Sequence, residues 1–291
     1  MRLVSFQRKD GSAGVGAARE EGRILDLGAA KPGFPQTMVE MLAGGPALLE
    51  SAQGLLAKAG DFPKAVLGAG DYRLLPAVPN PPKFILCGIN YKPHVLEMGR
   101  AIPEKPSLFG RFSQTLIVAG DPILVPKSSS QVDWEGEFVA VIGRGGKYIS
   151  RGEAMNHIAG FTCFNDISVR DFQRNMPLLT LGKNFDSSGP LGPWIVTRDE
   201  VPDPGNLRLT TRVNGQVMQE GNTGELIFDL PYLIELISSA MTLVPGDLIS
   251  TGTPSGVGAA REPPVFLKAG DTVSVSIEGV GELSNPVEAE R

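Results

Sequence analysis

The segment from Asp133 to Arg144, Asp-Trp-Glu-Gly-Glu-Phe-Val-Ala-Val-Ile-Gly-Arg, constrains the fold more than any other stretch of the chain. β-Branched and aromatic residues fill its second half and Gly143-Arg144-Gly145-Gly146 closes it, so it reads as a strand. Successive side chains of a strand point to opposite faces, which puts Asp133, Glu135 and Glu137 on one face. Three carboxylates in a row repel one another. Such a face is stable either in open water or around a cation, and the strand by itself leaves both readings open.

The rest of the composition narrows the classes. A chain of 291 residues can bury a substantial core as one large domain, or a large domain with a small one. The net charge is −5 with the signs interspersed. No basic stripe points to nucleic acid, and no basic amphipathic helix or apolar run of about 18 residues points to a membrane. The first ten residues carry too short an apolar run for a signal peptide. Cys87 and Cys163 lie far apart in apolar runs, which fits free buried thiols in a reducing cytoplasm. With only two histidines, a His-rich zinc site is excluded. The 36 glycines and 24 prolines fall between apolar runs, as in a turn-rich β protein.

Residues 1–30 give short alternating segments with a turn at Lys9-Asp10-Gly11-Ser12. Thr37 to Ala59 shows helical spacing broken at Gly44-Gly45-Pro46, hence two short helices. Leu75-Pro76-Ala77-Val78-Pro79-Asn80-Pro81-Pro82 cannot be helical and cannot lie inside a sheet. It places a boundary near residue 78, between a small N-terminal domain (1–78) and a larger one (79–291). Gly-Val-Gly-Ala-Ala-Arg-Glu occurs at 14–20 and again at 256–262, but the flanks do not match, so it marks no repeat.

Lys83 to Gly88 reads as a buried strand. Pro93 suits the first turn of a following helix, on which His94 and Glu97 are three residues apart on one face. A carboxylate beside an imidazole fixes its tautomer and raises its basicity, as a general base needs; the same spacing also suits an ordinary surface pair. Gly99 and the proline-containing stretch after it could form a lid. Ser150-Arg151-Gly152-Glu153 is a capping box and predicts a helix ending near Gly160, with His157 in a structural or surface role. Asp166 is an acid inside an apolar, strand-like run, so it needs a cation or strong donors. Glu135, Glu137 and Asp166 form an all-oxygen set suited to Mg²⁺, Mn²⁺ or Ca²⁺. Lys183 taken alone reads as solvated, since Gly182-Lys183 lacks the other features of a phosphate loop. A hairpin is expected at Asn214-Gly215 and a helix over Phe228–Leu243. The Gly-rich loop Thr251–Gly258 offers backbone N–H groups to a carboxylate, and it is not a nucleophile elbow. Alternating Val273, Val275 and Ile277 end the chain in strand.

From Lys83 to Val287 these pieces, in this order, resemble the fumarylacetoacetate hydrolase family. The resemblance rests on Glu135-x-Glu137, Asp166 with Arg170-Asp171-x-Gln173, Gly182-Lys183-x-Phe185-Asp186 and Gly252-Thr253-Pro254-x-Gly256. Phe109-Gly110-Arg111 departs from it, with Arg where the family commonly has Lys. The resemblance implies an α+β, mainly β fold: a mixed β-roll or sandwich catalytic domain behind a small α/β N-terminal domain, assembled as a homodimer. It implies Glu135, Glu137 and Asp166 as ligands of one Mg²⁺ or Mn²⁺. His94 oriented by Glu97 would activate water, and Lys183 would stabilise an oxyanion. Tyr91, Arg170, Gln173 and Thr253 would contact substrate or order the groups behind the metal. The expected substrates are short 2-oxo or 1,3-dioxo acids of aromatic catabolism, and the expected reaction is C–C hydrolysis of an acylpyruvate such as fumarylpyruvate or maleylpyruvate. Decarboxylation of a 2-oxo diacid, or hydration or isomerisation of an oxo-dienoate, would use the same residues. A non-catalytic binding protein with a structural cation is the third reading, and the His94/Glu97 pair speaks against it.

Overall fold

The structure, a computed structural model, describes residues 1–291. Its centre is the strand Gly136–Ile142, whose seven residues are all buried. Along it Phe138, Ala140 and Ile142 enter one apolar cluster while Val139 and Val141 enter another. A strand covered on both faces reads as a continuous apolar run, and that is why this one does after Glu137. It pairs antiparallel with Ile158–Asn165 on one side and Leu248–Ser250 on the other. Leu248–Ser250 continues in parallel to Phe84–Gly88, which carries Ser107–Gly110 at the edge.

The opposite half of this sheet runs through Gly189–Thr197 into the N-terminal strands Arg2–Arg8, Ala13–Ala18 and Ile24–Asp26. Both sheet and core therefore cross the boundary expected near residue 78. Leu3, Met41 and Val78 share a cluster with Val139 and Phe164, and Ala77 N–H donates to the Leu191 carbonyl at 3.2 Å. The proline run crosses from one half of this sheet to the other, with Ala77 and Val78 buried on the way. The helices Met38–Ala43 and Gly45–Ala57 cover this half, and Thr37 caps the first of them with Glu40.

A second sheet of five strands packs on the first and includes the hairpin Arg208–Val213/Gln216–Asn222. The hairpin turns at Asn214 (φ 52°) and Gly215 (φ 79°), the positive-φ pair that a tight two-residue turn demands. Leu209, Val275 and Leu283 meet Phe138 and Phe161 between the layers, where the two rings stack at 4.9 Å. Such a pair adds about 0.5–1.5 kcal/mol beyond its area. Leu230–Ala240 is helical as its periodicity predicts, capped by Asp229. The architecture is α+β and mainly β.

One predicted element does not form. After the capping-box sequence at Ser150–Glu153 there is only a 3₁₀ turn, Ala154–His157, and Ile158 begins a strand. Ile158, Phe161 and Cys163 are drawn between two neighbouring strands, and that burial outweighs a local helix start worth about 1 kcal/mol. His157 is buried and its Nδ1 lies 2.8 Å from the Arg144 carbonyl, a structural role. The two copies of Gly-Val-Gly-Ala-Ala-Arg-Glu take different forms, strand at 14–18 and loop with a 3₁₀ turn at 256–262. Both cysteines are free and buried. No helix is long and apolar enough to cross a membrane.

Candidate active site

The site forms where two neighbouring strands break at the same level. Val132–Asp133 pairs with Ser168–Val169 in a separate ribbon, and the main pairing resumes at Gly136 opposite Asn165. In the gap, Asp166 N–H donates to the Glu135 carbonyl at 2.8 Å, and Glu135 N–H donates to Asn165 Oδ1 at 3.0 Å. The buried amide of Gln219 accepts from Gly136 N–H at 3.0 Å. This break corrects the continuous-strand reading of the acids. Asp133 turns away from Glu135 and Glu137 and accepts from the Gly258 and Ala259 N–H groups at 2.7 and 2.9 Å.

Glu135, Glu137 and Asp166 do converge, each offering an oxygen within 4.8 Å of the others, and all three are buried. Around them lies a set of cations. Lys183 Nζ is 2.6 Å from both Glu135 Oε2 and Asp166 Oδ2. Arg170 Nη1 is 2.6 Å from Glu135 Oε1 while its Nε is 2.7 Å from Asp133. Arg111 Nη2 is 2.9 Å from Asp166 Oδ1. Although burial pushes it up, Lys183 and Arg170 hold the Glu135 carboxyl down to about 2. Burial and the charges of Asp166 and Glu135 push Glu137 well above the usual carboxylate range; the Ser250 hydroxyl donates to it.

These donors fit a hard divalent cation. The set is all oxygen and drawn from two segments, and each carboxylate keeps free lone pairs beside its present partners. Asp133, Glu135 and Asp166 each have a buried cationic partner and Glu137 has none, so a divalent ion would supply the counter-charge that lets Glu137 give up its proton.

Lys183 is fully buried, where its sequence context alone reads as solvated. Gly182 makes this possible: a Cβ there would lie 2.5 Å from the Gln173 backbone, so only glycine lets the turn Thr180–Lys183 close onto the helix Arg170–Asn175. Arg111 has no place on a substrate wall. It is buried behind Asp166 and also donates to the Ile167 carbonyl and the Ser188 hydroxyl, both at 3.0 Å. The departure at Phe109-Gly110-Arg111 marked the position; nothing local revealed its partner.

The helix Lys92–Glu97 carries the dyad, with Pro93 in its first turn. His94 Nδ1 is 2.9 Å from Glu97 Oε2, and Glu97 Oε1 accepts from Gly256 N–H at 2.8 Å. A carboxylate only accepts, so Nδ1 carries the proton and Nε2 is left with its lone pair. The glycine-rich loop does hold carboxylates, but they are the protein's own Glu97 and Asp133. The chain leaves the strand Phe84–Gly88 through Ile89, at φ 58°. A β-branched residue there costs about 1–3 kcal/mol. Asn90 holds the bend, donating to the Phe228 and Thr251 carbonyls at 3.0 and 2.9 Å and accepting from Phe228 N–H at 2.8 Å.

One cavity of about 520 Å³ collects His94, Glu97, Glu135, Glu137, Arg170, Gln173, Lys183 and Thr253 on its wall. Asp166 lies behind Lys183 and Arg111. Arg170 presents a buried Nη2 with no protein partner, and its Nη1 donates to Gln173 at 2.8 Å. The Thr253 hydroxyl is spent within the protein, donating to the Gly136 carbonyl and accepting from Gln219, both at 2.8 Å. Tyr91, expected at the substrate, is fully buried at the start of the dyad helix and off the cavity wall. Its side chain is enclosed by the protein interior, its hydroxyl without a hydrogen-bond partner, a placement the family motif does not distinguish from substrate contact. Sequence reasoning also missed Asp133 as the anchor of Arg170, together with Gln219 and Ser250; each is a lone polar residue whose partner is distant in the chain.

Residues 83–288 match the family described as fumarylacetoacetate (FAA) hydrolase, C-terminal. The chain is 43% identical over 291 residues to the mitochondrial oxaloacetate tautomerase of Xenopus laevis, spanning 99% of this chain and 90% of that protein. Among solved structures it is similar to the fumarylacetoacetate hydrolase of Exiguobacterium antarcticum (TM-score 0.84, 33% identity). It is also similar to the maleylpyruvate hydrolase of Sphingobium sp. SYK-6 bound to manganese(II) and pyruvate (TM-score 0.80, 29% identity). Each of these two likenesses covers 100% of both chains. Three buried carboxylates with their cations, a His–Glu dyad on the same cavity and a match over most of the chain place this protein in the fumarylacetoacetate hydrolase family of enzymes.

Proposed function

We propose that this protein is a divalent-cation-dependent enzyme acting on short 2-oxo acids, and that its reaction is keto–enol tautomerisation of a 2-oxo diacid such as oxaloacetate. The observation that carries this reading is the His94–Glu97 dyad on the wall of the cavity that holds Glu135 and Glu137. Support for tautomerisation over hydrolysis comes from the extent of likeness to the Xenopus tautomerase.

A cation, Mg²⁺ or Mn²⁺, held by Glu135, Glu137 and Asp166 would supply Lewis-acid polarisation of the 2-oxo group. The chain's own residues handle the proton. In forming the enol His94 Nε2 takes a proton from C3 and hands a proton to the 2-oxo oxygen, and in forming the ketone it takes the enol proton and returns one to C3. Glu97 fixes the ring for both directions. Lys183 has three N–H donors with two committed to carboxylates, leaving one for a substrate oxygen. Arg170 Nη2 offers another. Phe109, Val257 and Ala259 on the wall limit access of water.

The test follows the decay of enol-oxaloacetate absorbance with the Mg²⁺-loaded protein against Mg²⁺ alone; acceleration is expected. C–C hydrolysis of an acylpyruvate is the second reading, favoured by the likeness to the pyruvate-bound maleylpyruvate hydrolase. Pyruvate release from an acylpyruvate, with no effect on enol decay, would move the assignment there.

A further inference from the structure

We infer that Arg100 and Arg174 read the far end of the substrate, so that the site selects doubly charged 2-oxo acids over singly charged ones. This rests on the site being one for 2-oxo acids, and it holds for tautomerisation and for hydrolysis of an acid-ended acylpyruvate alike.

Five basic side chains stand on the cavity wall: His94, Arg100, Arg170, Arg174 and Lys183. Three are committed. His94 is paired with Glu97, Arg170 with Asp133 and Glu135, and Lys183 with Glu135 and Asp166. The guanidinium groups of Arg100 and Arg174 make no ion pair and no hydrogen bond, although acids outnumber bases in the chain, 32 to 27. Both are exposed, so neither serves the core.

Their places in the chain tie them to the chemistry. Arg174 lies four residues after Arg170 on the helix Arg170–Asn175, hence one turn farther along the same face. Arg100 follows the dyad helix, and its N–H donates to the Val95 carbonyl at 3.1 Å. Both stand on the cavity wall, on the segments that carry Arg170 and His94.

A 2-oxo acid spends its first carboxylate and its 2-oxo oxygen at the cation end of the cavity. A diacid then has a second carboxylate a few bonds farther out. No other uncommitted cation lines the wall to meet it. A guanidinium matches a carboxylate with two parallel N–H···O bonds, and such charge-assisted pairs are about twice as strong as neutral ones.

Malate and lactate differ only in the distal carboxylate, and neither reacts by tautomerisation. Their binding to the Mg²⁺-loaded full-length protein can be compared by calorimetry at fixed ionic strength. Wild type should bind malate at least about tenfold more tightly than lactate, and each of Arg100→Gln and Arg174→Gln should lower that ratio. The double variant should bring the ratio near one with lactate affinity unchanged, and should raise KM for oxaloacetate more than it lowers kcat. A ratio unchanged in the double variant, or equal weakening of both acids, would overturn the inference. A wild type that prefers malate yet leaves enol-oxaloacetate decay unaffected would sink the tautomerase reading and support the charge selection.

Discussion

Replacing Lys183 by methionine removes a fully buried cation that holds two carboxylates at 2.6 Å each. Asp133, Glu135 and Asp166 then face only Arg111 and Arg170, and the buried acids outnumber their cationic partners. Breaking a buried ion pair from one side costs about 3–5 kcal/mol. For 291 residues the entropy of unfolding is about 0.6 kcal/mol/K near 60 °C, so the variant should melt about 5–8 °C below wild type in the presence of a chelator. Saturating Mg²⁺ should narrow the gap, because a cation at the three acids offsets the charge that Lys183 no longer balances. Thermal melts of both proteins, each with chelator and with Mg²⁺, check this. Equal melting in chelator would refute the counter-charge role of Lys183, and a gap indifferent to Mg²⁺ would refute the acids as the cation site.

His94→Ala leaves the three acids untouched; it should retain Mg²⁺ binding by calorimetry and lose about 10²–10⁴ in turnover of enol-oxaloacetate. Asp133→Asn sets an amide N–H₂ against a ring of donors from Ala259, Gly258 and Arg170, and should cost about 3 kcal/mol in urea unfolding while misplacing Arg170. Gly258→Ala would drive a methyl into the Val265 carbonyl and to 2.7 Å from Asp133 Oδ1, for a loss of about 1–3 kcal/mol by the same measurement.

Much of this protein is legible as local pattern. Apolar alternation and spacing place the strands Phe84–Gly88 and Gly136–Ile142 and the helix Leu230–Ala240, and Asn214-Gly215 places the hairpin, because each signal lies within a few residues. The chemical types of the converging acids and of the dyad are equally local: carboxylate oxygens without imidazole or thiolate, and His beside Glu on one helical face.

Tertiary structure decided the rest through contacts between residues far apart in the chain. Lys183 is buried because Glu135, 48 residues earlier, and Asp166 lie over it. Asp133 leaves the row of acids because the loop 125 residues later offers it N–H groups. The capping-box sequence forms no helix because two distant strands claim Ile158–Asn165. Local preferences amount to tenths of a kcal/mol up to about one, whereas a buried side chain or a broken buried ion pair is worth several. The sequence determines which groups are present and which short elements they favour. Which charges share the dark interior of the site is set by long-range pairing, whose energy is the larger.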